Sequence, residues 1–266
     1  MEYRVLGRTG EKVPTIGMGT WGMGSYSSLK ERAQQVRALR RGLELGMTLI
    51  DTAEMYASGR SEEVVGEAVQ ENRSRVFIAT KVSPEHLRWN DVIKACDASL
   101  RRLGTSYIDL YQVHWPNPAI PIKETMGAME ELVRQGKIRY VGVSNFSPTG
   151  TTEARNALTK SEIVSNQIVY SLGNHTIEAE VLPYCVREKI TLIAYSPLDH
   201  GRIDSSALPK ELLSKYGLTP AQLILNWVTR NEQVVAIPKA TNVAHLEENA
   251  SSVSVRLGSS EYRQIA

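Results

Sequence analysis

A single (β/α)8 TIM barrel carrying a short N-terminal β-hairpin is the α/β fold that this sequence predicts, on three observations. The chain has 266 residues, close to the ~250 typical of one such barrel. Short apolar, β-prone runs alternate eight times with amphipathic stretches of helical period, as expected of a parallel sheet with crossover helices. No linker, low-complexity segment or repeat interrupts the alternation, so residues 1–266 read as one domain.

The chain opens on two β-prone runs, 3–6 and 12–14, around the turn-prone Arg8-Thr9-Gly10. They predict a hairpin that caps the fold and carries no chemistry. Strands are expected at 16–19, 48–50, 76–80, 108–113, 138–143, 163–168, 191–194 and 234–237. Helices are expected near 29–45, 61–71, 91–103, 122–135, 149–159, 177–188, 219–230 and 242–250. Ser28-Leu-Lys-Glu31 and Thr219-Pro220-Ala-Gln222 read as capping boxes, the second with proline at the first helical position. Gly46, Gly104 and Gly136 stand where helices stop. Residues 198–218 make a long connection after the seventh strand, with an extra short helix expected near 208–215.

Composition narrows the function. The formal net charge is +2, too small to mark nucleic acid or an anionic membrane as partner. No apolar run approaches the ~20 residues that span a bilayer. The first residues, MEYRVLGRTGEKVP, lack the apolar core of a signal peptide. Only two cysteines occur, Cys96 and Cys185. Cys96 shares an apolar helix face with Ile93, Leu100 and Leu103, where a buried inert thiol belongs. A cytoplasmic, reduced protein is the expectation.

Chemistry in such a barrel gathers at the C-terminal ends of the strands. The second strand runs into Asp51, and Tyr56 follows five residues later. The third ends on Lys81, the fourth on His114-Trp115 and the fifth on Ser144-Asn145. Gln167 lies in the sixth; the seventh ends on Tyr195-Ser196-Pro197 and the eighth on Pro238-Lys239. Taken singly, each has a plain structural role: a packing ion pair, a rim aromatic, a structural histidine. Their joint arrival at successive strand ends points to chemistry.

Several chemistries can be weighed against that set. Gly17-Met-Gly19-Thr-Trp-Gly22 matches the G-x-G-x-x-G of dinucleotide folds. There the last glycine already lies in the helix, whereas here the helix signal begins only at Leu29, so a glycine-rich loop at the barrel mouth fits better. A retaining glycosidase needs two facing carboxylates, but strands four and seven end in His114 and Tyr195, leaving only Asp51 and Glu54. His114 is the one strand-end histidine, so no metal site is suggested. Lys81 as a Schiff-base amine, in a lyase, remains an alternative.

Eight stretches in order and spacing resemble the aldo-keto reductase family over nearly the whole chain. They are Gly17-Met-Gly19-Thr-Trp21, Asp51-Thr-Ala-Glu-Met-Tyr56, Ala79-Thr-Lys81, Asp109-Leu-Tyr-Gln-Val-His114-Trp115, Gly142-Val-Ser144-Asn145-Phe146, Asn166-Gln167, Ala194-Tyr195-Ser196-Pro197-Leu198 and Ile237-Pro238-Lys239. The resemblance implies an NAD(P)H-dependent reductase of small aldehydes and ketones, with Asp51, Tyr56, Lys81 and His114 as catalytic tetrad. It implies cofactor contacts from Gly19, Thr20, Trp21, Ser144, Asn145, Gln167, Tyr195, Ser196, Pro197 and Leu198. Ile237, Pro238, Lys239, Thr241, His245, Glu248 and Asn249 complete that set. Ser144, Asn145 and Gln167 would hold the nicotinamide carboxamide, and Tyr195 would stack on the ring. Trp21, Tyr56, His114 and Trp115 would meet the substrate. A non-catalytic reading within the same resemblance is a nicotinamide-binding partner subunit, like potassium-channel β-subunits; the intact tetrad favours the enzyme.

The chemistry gives these residue types their roles. Hydride attack on a carbonyl carbon charges the oxygen, which must gain a proton. Tyr56 would donate it, and a nearby Lys81 ammonium would lower the phenol from its ordinary ~10 by favouring phenolate. Asp51 would hold Lys81, and His114 would orient the carbonyl through a hydrogen bond.

Two departures from the family pattern stand out. Its adenosine end runs Lys-Ser, an arginine, then Glu-Asn, whereas this chain has Lys239-Ala240 and His245 before Glu248-Asn249. Arginine is charged at every working pH and histidine is not. The resemblance implies NADP(H) as the preferred cofactor with NAD(H) possible; the two replacements, Ala240 and His245, weaken that preference, and NADP affinity is expected to rise as pH falls. The chain also stops at Ala266, where a last helix only begins, so either a more open substrate pocket than the family's or a chain shortened at that end is expected.

Overall fold

The computed structural model describes residues 1–202 and 205–265. β1 (Tyr3–Val5) and β2 (Lys12–Pro14) pair antiparallel as the expected hairpin. Eight parallel strands follow: β3 (Met18–Gly19), β4 (Leu49–Asp51), β5 (Phe77–Val82), β6 (Ile108–Val113), β7 (Ile138–Ser144), β8 (Ile163–Val169), β9 (Thr191–Tyr195) and β10 (Val234–Ala236). They pair in sequence order. The ring closes between first and last: Ile16 bridges Ala236 in parallel, and the Gly17 and Gly19 N–H groups donate to Ala236 and Pro238 at 2.8 and 3.1 Å. Gly19 is needed at this seam, because a Cβ there would stand 2.6 Å from the Ile237 carbonyl oxygen. β3 is shorter than the expected 16–19 because its first half meets β10 only through that single bridge.

The helices are α1 (Leu29–Glu44), α2 (Arg60–Val69), α3 (Trp89–Leu103), α4 (Ile122–Arg134), α5 (Pro148–Ala157), α6 (Val181–Glu188), α7 (Lys210–Tyr216), α8 (Pro220–Val228), α9 (Val243–Ser251) and α10 (Ser259–Tyr262). α7 is the extra helix of the long connection, of which positions 203 and 204 lie outside the described residues, as does Ala266. α6 begins four residues later than expected, after a separate turn at Thr176–Glu178. Pro183 explains the break: it is harmless in a first turn but would clash with a carbonyl inside a longer helix. Thr219 and Gln222 form the full capping box. At α1 the box slides by one residue: Ser28 caps Glu31, but the Glu31 carboxylate accepts from the Ser27 N–H and hydroxyl, both at 2.8 Å. Gly46, Gly104 and Gly136 all take positive φ at helix ends. Among the described residues, no helix is long and apolar enough to cross a membrane.

Two apolar clusters result. The larger packs helices onto the outer strand faces, with Tyr111, Met126, Met129 and Leu132 fully buried. The smaller lies inside the ring and fills its hairpin end with Leu6, Val13, Leu49, Phe77, Leu110, Val164, Ile193 and Val235, while Ala79 and Ile237 carry it up to the level of the cavity. The interior at the other end is left to polar side chains.

Candidate active site

The barrel strands bring their C-terminal ends around a cavity of about 950 Å3. Asp51 is the last residue of β4, Lys81 lies near the end of β5, and His114 directly follows β6. Inward-facing positions of neighbouring parallel strands are side by side, so an acid and an amine far apart in sequence meet. Lys81 Nζ donates to Asp51 Oδ1 at 2.6 Å and to the Thr52 carbonyl at 2.9 Å, and lies 3.4 Å from the Tyr56 hydroxyl. The second oxygen of Asp51 accepts from Gln167 Nε2 at 2.7 Å. The His114 ring stands edge-on to Tyr56 at 5.7 Å and stacks on Trp115 at 3.9 Å.

The electrostatics follow from burial. Removal from water works against both charges of the pair, yet the Asp51 carboxylate and the Tyr56 hydroxyl hold Lys81 above its ordinary value, so it stays an ammonium. Tyr56 corrects the expectation from sequence. Burial pushes the phenol up, and the downward pull of Lys81 does not overcome it. His114 is pushed down to about 2 by burial and then by the Lys81 charge, so it is a neutral imidazole at every working pH.

Local backbone shapes the mouth. Directly after Tyr56, Ala57, Ser58 and Gly59 take φ of 49°, 56° and 89° and turn the chain sharply into α2. Asn145, at φ 63°, donates to the His114 carbonyl at 3.0 Å and accepts from the Tyr195 hydroxyl at 3.1 Å. The Ser144 hydroxyl donates to the Gln167 backbone carbonyl at 2.9 Å. The ends of β6, β7, β8 and β9 are thereby tied together.

Of the residues assigned from the resemblance, all line the cavity except Thr241 and Lys81. Thr241 is half-buried just ahead of α9, and Lys81 is fully enclosed behind Asp51 and Tyr56. Gly22, Ser25, Met55, Ala57, His200, Gly201 and Ala221 also line it and were not foreseen. His200 lies 5.3 Å from the Trp21 ring; it comes from the long connection, whose path no periodicity announces. The wall thus joins a proton-donor set at the tetrad to Lys239, His245, Glu248 and Asn249 beside α9. Such a wall could hold a large ligand with a polar head at one end and an anionic tail at the other.

The chain is similar to known proteins over nearly its whole length. The model of the Aldo/keto reductase family matches residues 15–266. The chain is 42% identical over 267 residues to methylglyoxal reductase YeaE of Escherichia coli (strain K12), covering 98% of this chain and 93% of that protein. A crystal structure of a thermostable aldo-keto reductase with the inhibitor epalrestat superposes with a TM-score of 0.94 at 40% identity, covering 99% of this chain and 98% of that one. An aldo/keto reductase from Klebsiella pneumoniae, in complex with NADP and acetate, gives 0.89 at 41% identity, covering 99% and 94%.

Proposed function

The chain belongs to the aldo/keto reductase family, and from that premise we propose that it is an NADP(H)-preferring reductase of small carbonyl compounds with Tyr56 as proton donor. The observation that carries the reading is the buried run from Asp51 through Lys81 to the Tyr56 hydroxyl, with neutral His114 beside it at a large cavity. The residues present fit a dinucleotide: Ser144, Asn145, Gln167 and Tyr195 near the tetrad, Lys239 and His245 at the far end. Bound there, the nicotinamide cofactor supplies the hydride.

The side chains supply the rest. Burial keeps the Tyr56 phenol protonated near neutrality, so its proton is at hand when the carbonyl oxygen gains charge. Lys81, held as an ammonium, stabilises the phenolate left behind. A neutral His114 has one N–H to donate to the carbonyl oxygen. Trp21, Met55 and Trp115 give the mouth an apolar wall. The Schiff-base alternative loses support because the Lys81 amine is enclosed and does not reach the cavity. Residues 1–266 are read as one domain, which the closed ring of strands supports, and the cytoplasm as its compartment, in keeping with two cysteines that are both free thiols.

The test is cofactor oxidation with a panel of aldehydes and ketones, NADPH against NADH. Methylglyoxal heads the panel because the E. coli relative is a methylglyoxal reductase. Turnover with NADPH exceeding that with NADH is expected, and no turnover with any carbonyl would sink the reading. His245→Ala should lower the NADPH-to-NADH affinity ratio roughly two- to tenfold, and His245→Arg should raise it, as an exposed, salt-screened contact allows.

A further inference from the structure

Gln167 is 1% exposed, lies within β8 and lines the cavity. Its Nε2 donates to Asp51 Oδ2, the carboxylate oxygen that Lys81 leaves free. A side-chain amide has two N–H donors and one acceptor oxygen. A carboxylate only accepts, so the nitrogen must face Asp51. What Gln167 turns the other way is its oxygen, which recognises an N–H donor.

Resting on the reductase reading, we propose that Gln167 is a positioning residue that ties the N–H of the cofactor's carboxamide to the proton donor through Asp51. One amide faces the cofactor with its oxygen and Asp51 with its nitrogen. From Asp51 the connection continues to Lys81 Nζ and from there to the Tyr56 hydroxyl, with steps of 2.7, 2.6 and 3.4 Å. Strand order makes this possible: β8 and β4 lie across the ring, so two residues 116 apart in sequence meet inside it.

The consequence is electrostatic. Tyr56 faces Lys81, which favours phenolate, and Asp51 and Tyr195, which oppose it; the His114 ring beside it is uncharged. Asp51 itself faces Lys81, Gln167 and Gln112. The Gln167 N–H draws off part of the Asp51 charge. Without it, the carboxylate holds the Lys81 proton more tightly and repels phenolate more strongly, so Tyr56 ionises at higher pH.

Alcohol oxidation exposes this step. There the alcohol O–H proton passes to the Tyr56 phenolate as hydride leaves carbon for the oxidised cofactor, so the rate rises with ionisation of Tyr56. In Gln167→Leu the alkaline rise of kcat should move up by about half a pH unit or more. Ser144→Ala should weaken cofactor binding and leave the rise in place, since Ser144 does not touch Asp51. A second readout needs no cofactor: 3-fluorotyrosine is incorporated, the Tyr56 fluorine resonance is assigned with Tyr56→Phe, and its titration is followed. It too should move up in Gln167→Leu. If Gln167→Leu does not fold, Gln167→Met, closer in shape, takes its place in both measurements. Weaker NADPH binding with both titrations unmoved would overturn the proposal and leave Gln167 a cofactor contact alone. A folded parent with no NADPH-dependent turnover would fell the reductase reading instead, while the fluorine titration still decided whether Gln167 acts on Tyr56.

Discussion

At the hairpin end of the barrel the interior is closed by Leu6, Val13, Leu49, Phe77, Leu110, Val164, Ile193 and Val235. At the other end the same ring of strands buries Asp51, Lys81, Gln112 and Gln167, none more than 2% exposed. The backbones differ in the same sense. Turns from helix to strand at the hairpin end place Gly46, Gly104 and Gly136 at positive φ, where glycine is at no disadvantage. Of the seven non-glycine residues with positive φ among those described, six follow C-terminal strand ends: Ala57, Ser58, Asn145, Ser196, Asp199 and His200. Each costs about 1–2 kcal/mol. The fully enclosed Asp51–Lys81 pair and most of the strained turns coincide at the end with the cavity, so that end is built for geometry while the apolar interior of the hairpin end supplies stability.

The strongest way to break this division is to remove one partner of the buried ion pair. Lys81→Met should abolish turnover and cost about 3–5 kcal/mol of stability, because Asp51 is left uncompensated. Adding Asp51→Leu should restore most of the stability and none of the turnover, as apolar replacements of buried pairs usually do. Urea unfolding of both variants checks this. A double variant as unstable as the single one would mean that the pair holds the barrel together and the division is wrong.

A crossed pair of substitutions sharpens it. Phe77→Ala, in the apolar end, should cost about 3–5 kcal/mol with kcat within a few-fold of the parent at a temperature where the variant is folded. Tyr56→Phe should cost at least ~10²-fold in kcat and no more than about 1 kcal/mol of stability. A Tyr56→Phe enzyme within a few-fold of the parent would remove Tyr56 from proton donation.

The same division governs what could be read from sequence. Ring, hairpin and strand ends were legible because Asp51, Lys81, His114 and Ser144 stand at or just beyond runs of unmistakable period. Pro183 shortened α6 by a rule that sequence carries but that helical period overrode. The left-handed turn at Ala57-Ser58 was illegible, since neither residue type signals positive φ. Met55, His200 and Ala221 reach the cavity through loop path and helix placement, which no local pattern encodes. The direction of the Tyr56 shift was missed for another reason. A neighbour's charge can be named from motif order, but burial is a property of the folded whole, and here it is the larger influence.

Acid should separate the two ends next. His114 titrates at about 2 in the folded chain and near the ordinary ~6.5 once unfolded. Below that value the unfolded chain binds a proton that the folded chain refuses. The stability His114 contributes is therefore complete above pH ~6.5 and falls by about 1.4 kcal/mol per pH unit below it. His114→Gln removes this slope, so parent and variant stabilities should converge or cross as pH falls from about 6 to about 4. Parallel curves from urea unfolding across that range would mean that His114 is not held neutral.

The smallest expected effect tests whether the strain belongs to the catalytic end by design. Ser58 and Lys189 hold nearly the same backbone conformation, at φ 56° and 53°, and both side chains are exposed. Lys189 ends α6 far from the cavity, while Ser58 lies two residues past the proton donor. Glycine relieves the left-handed penalty at either site but gives the unfolded chain more freedom to lose on folding, so each substitution should stabilise by only about 0.5–1 kcal/mol. The two should part in their kinetics. Lys189→Gly should leave kcat unchanged. Ser58→Gly should lower it several-fold with little change in KM, because a softer turn lets the Tyr56 hydroxyl wander from Lys81, and misplacement by a fraction of an ångström is costly in a proton transfer. Thermal unfolding and steady-state kinetics on the two variants measure both quantities. Equal stabilisation with equal kcat would mean that the turn after Tyr56 is strained only to reach α2, and that the hydroxyl is held by Lys81 and the surrounding walls alone.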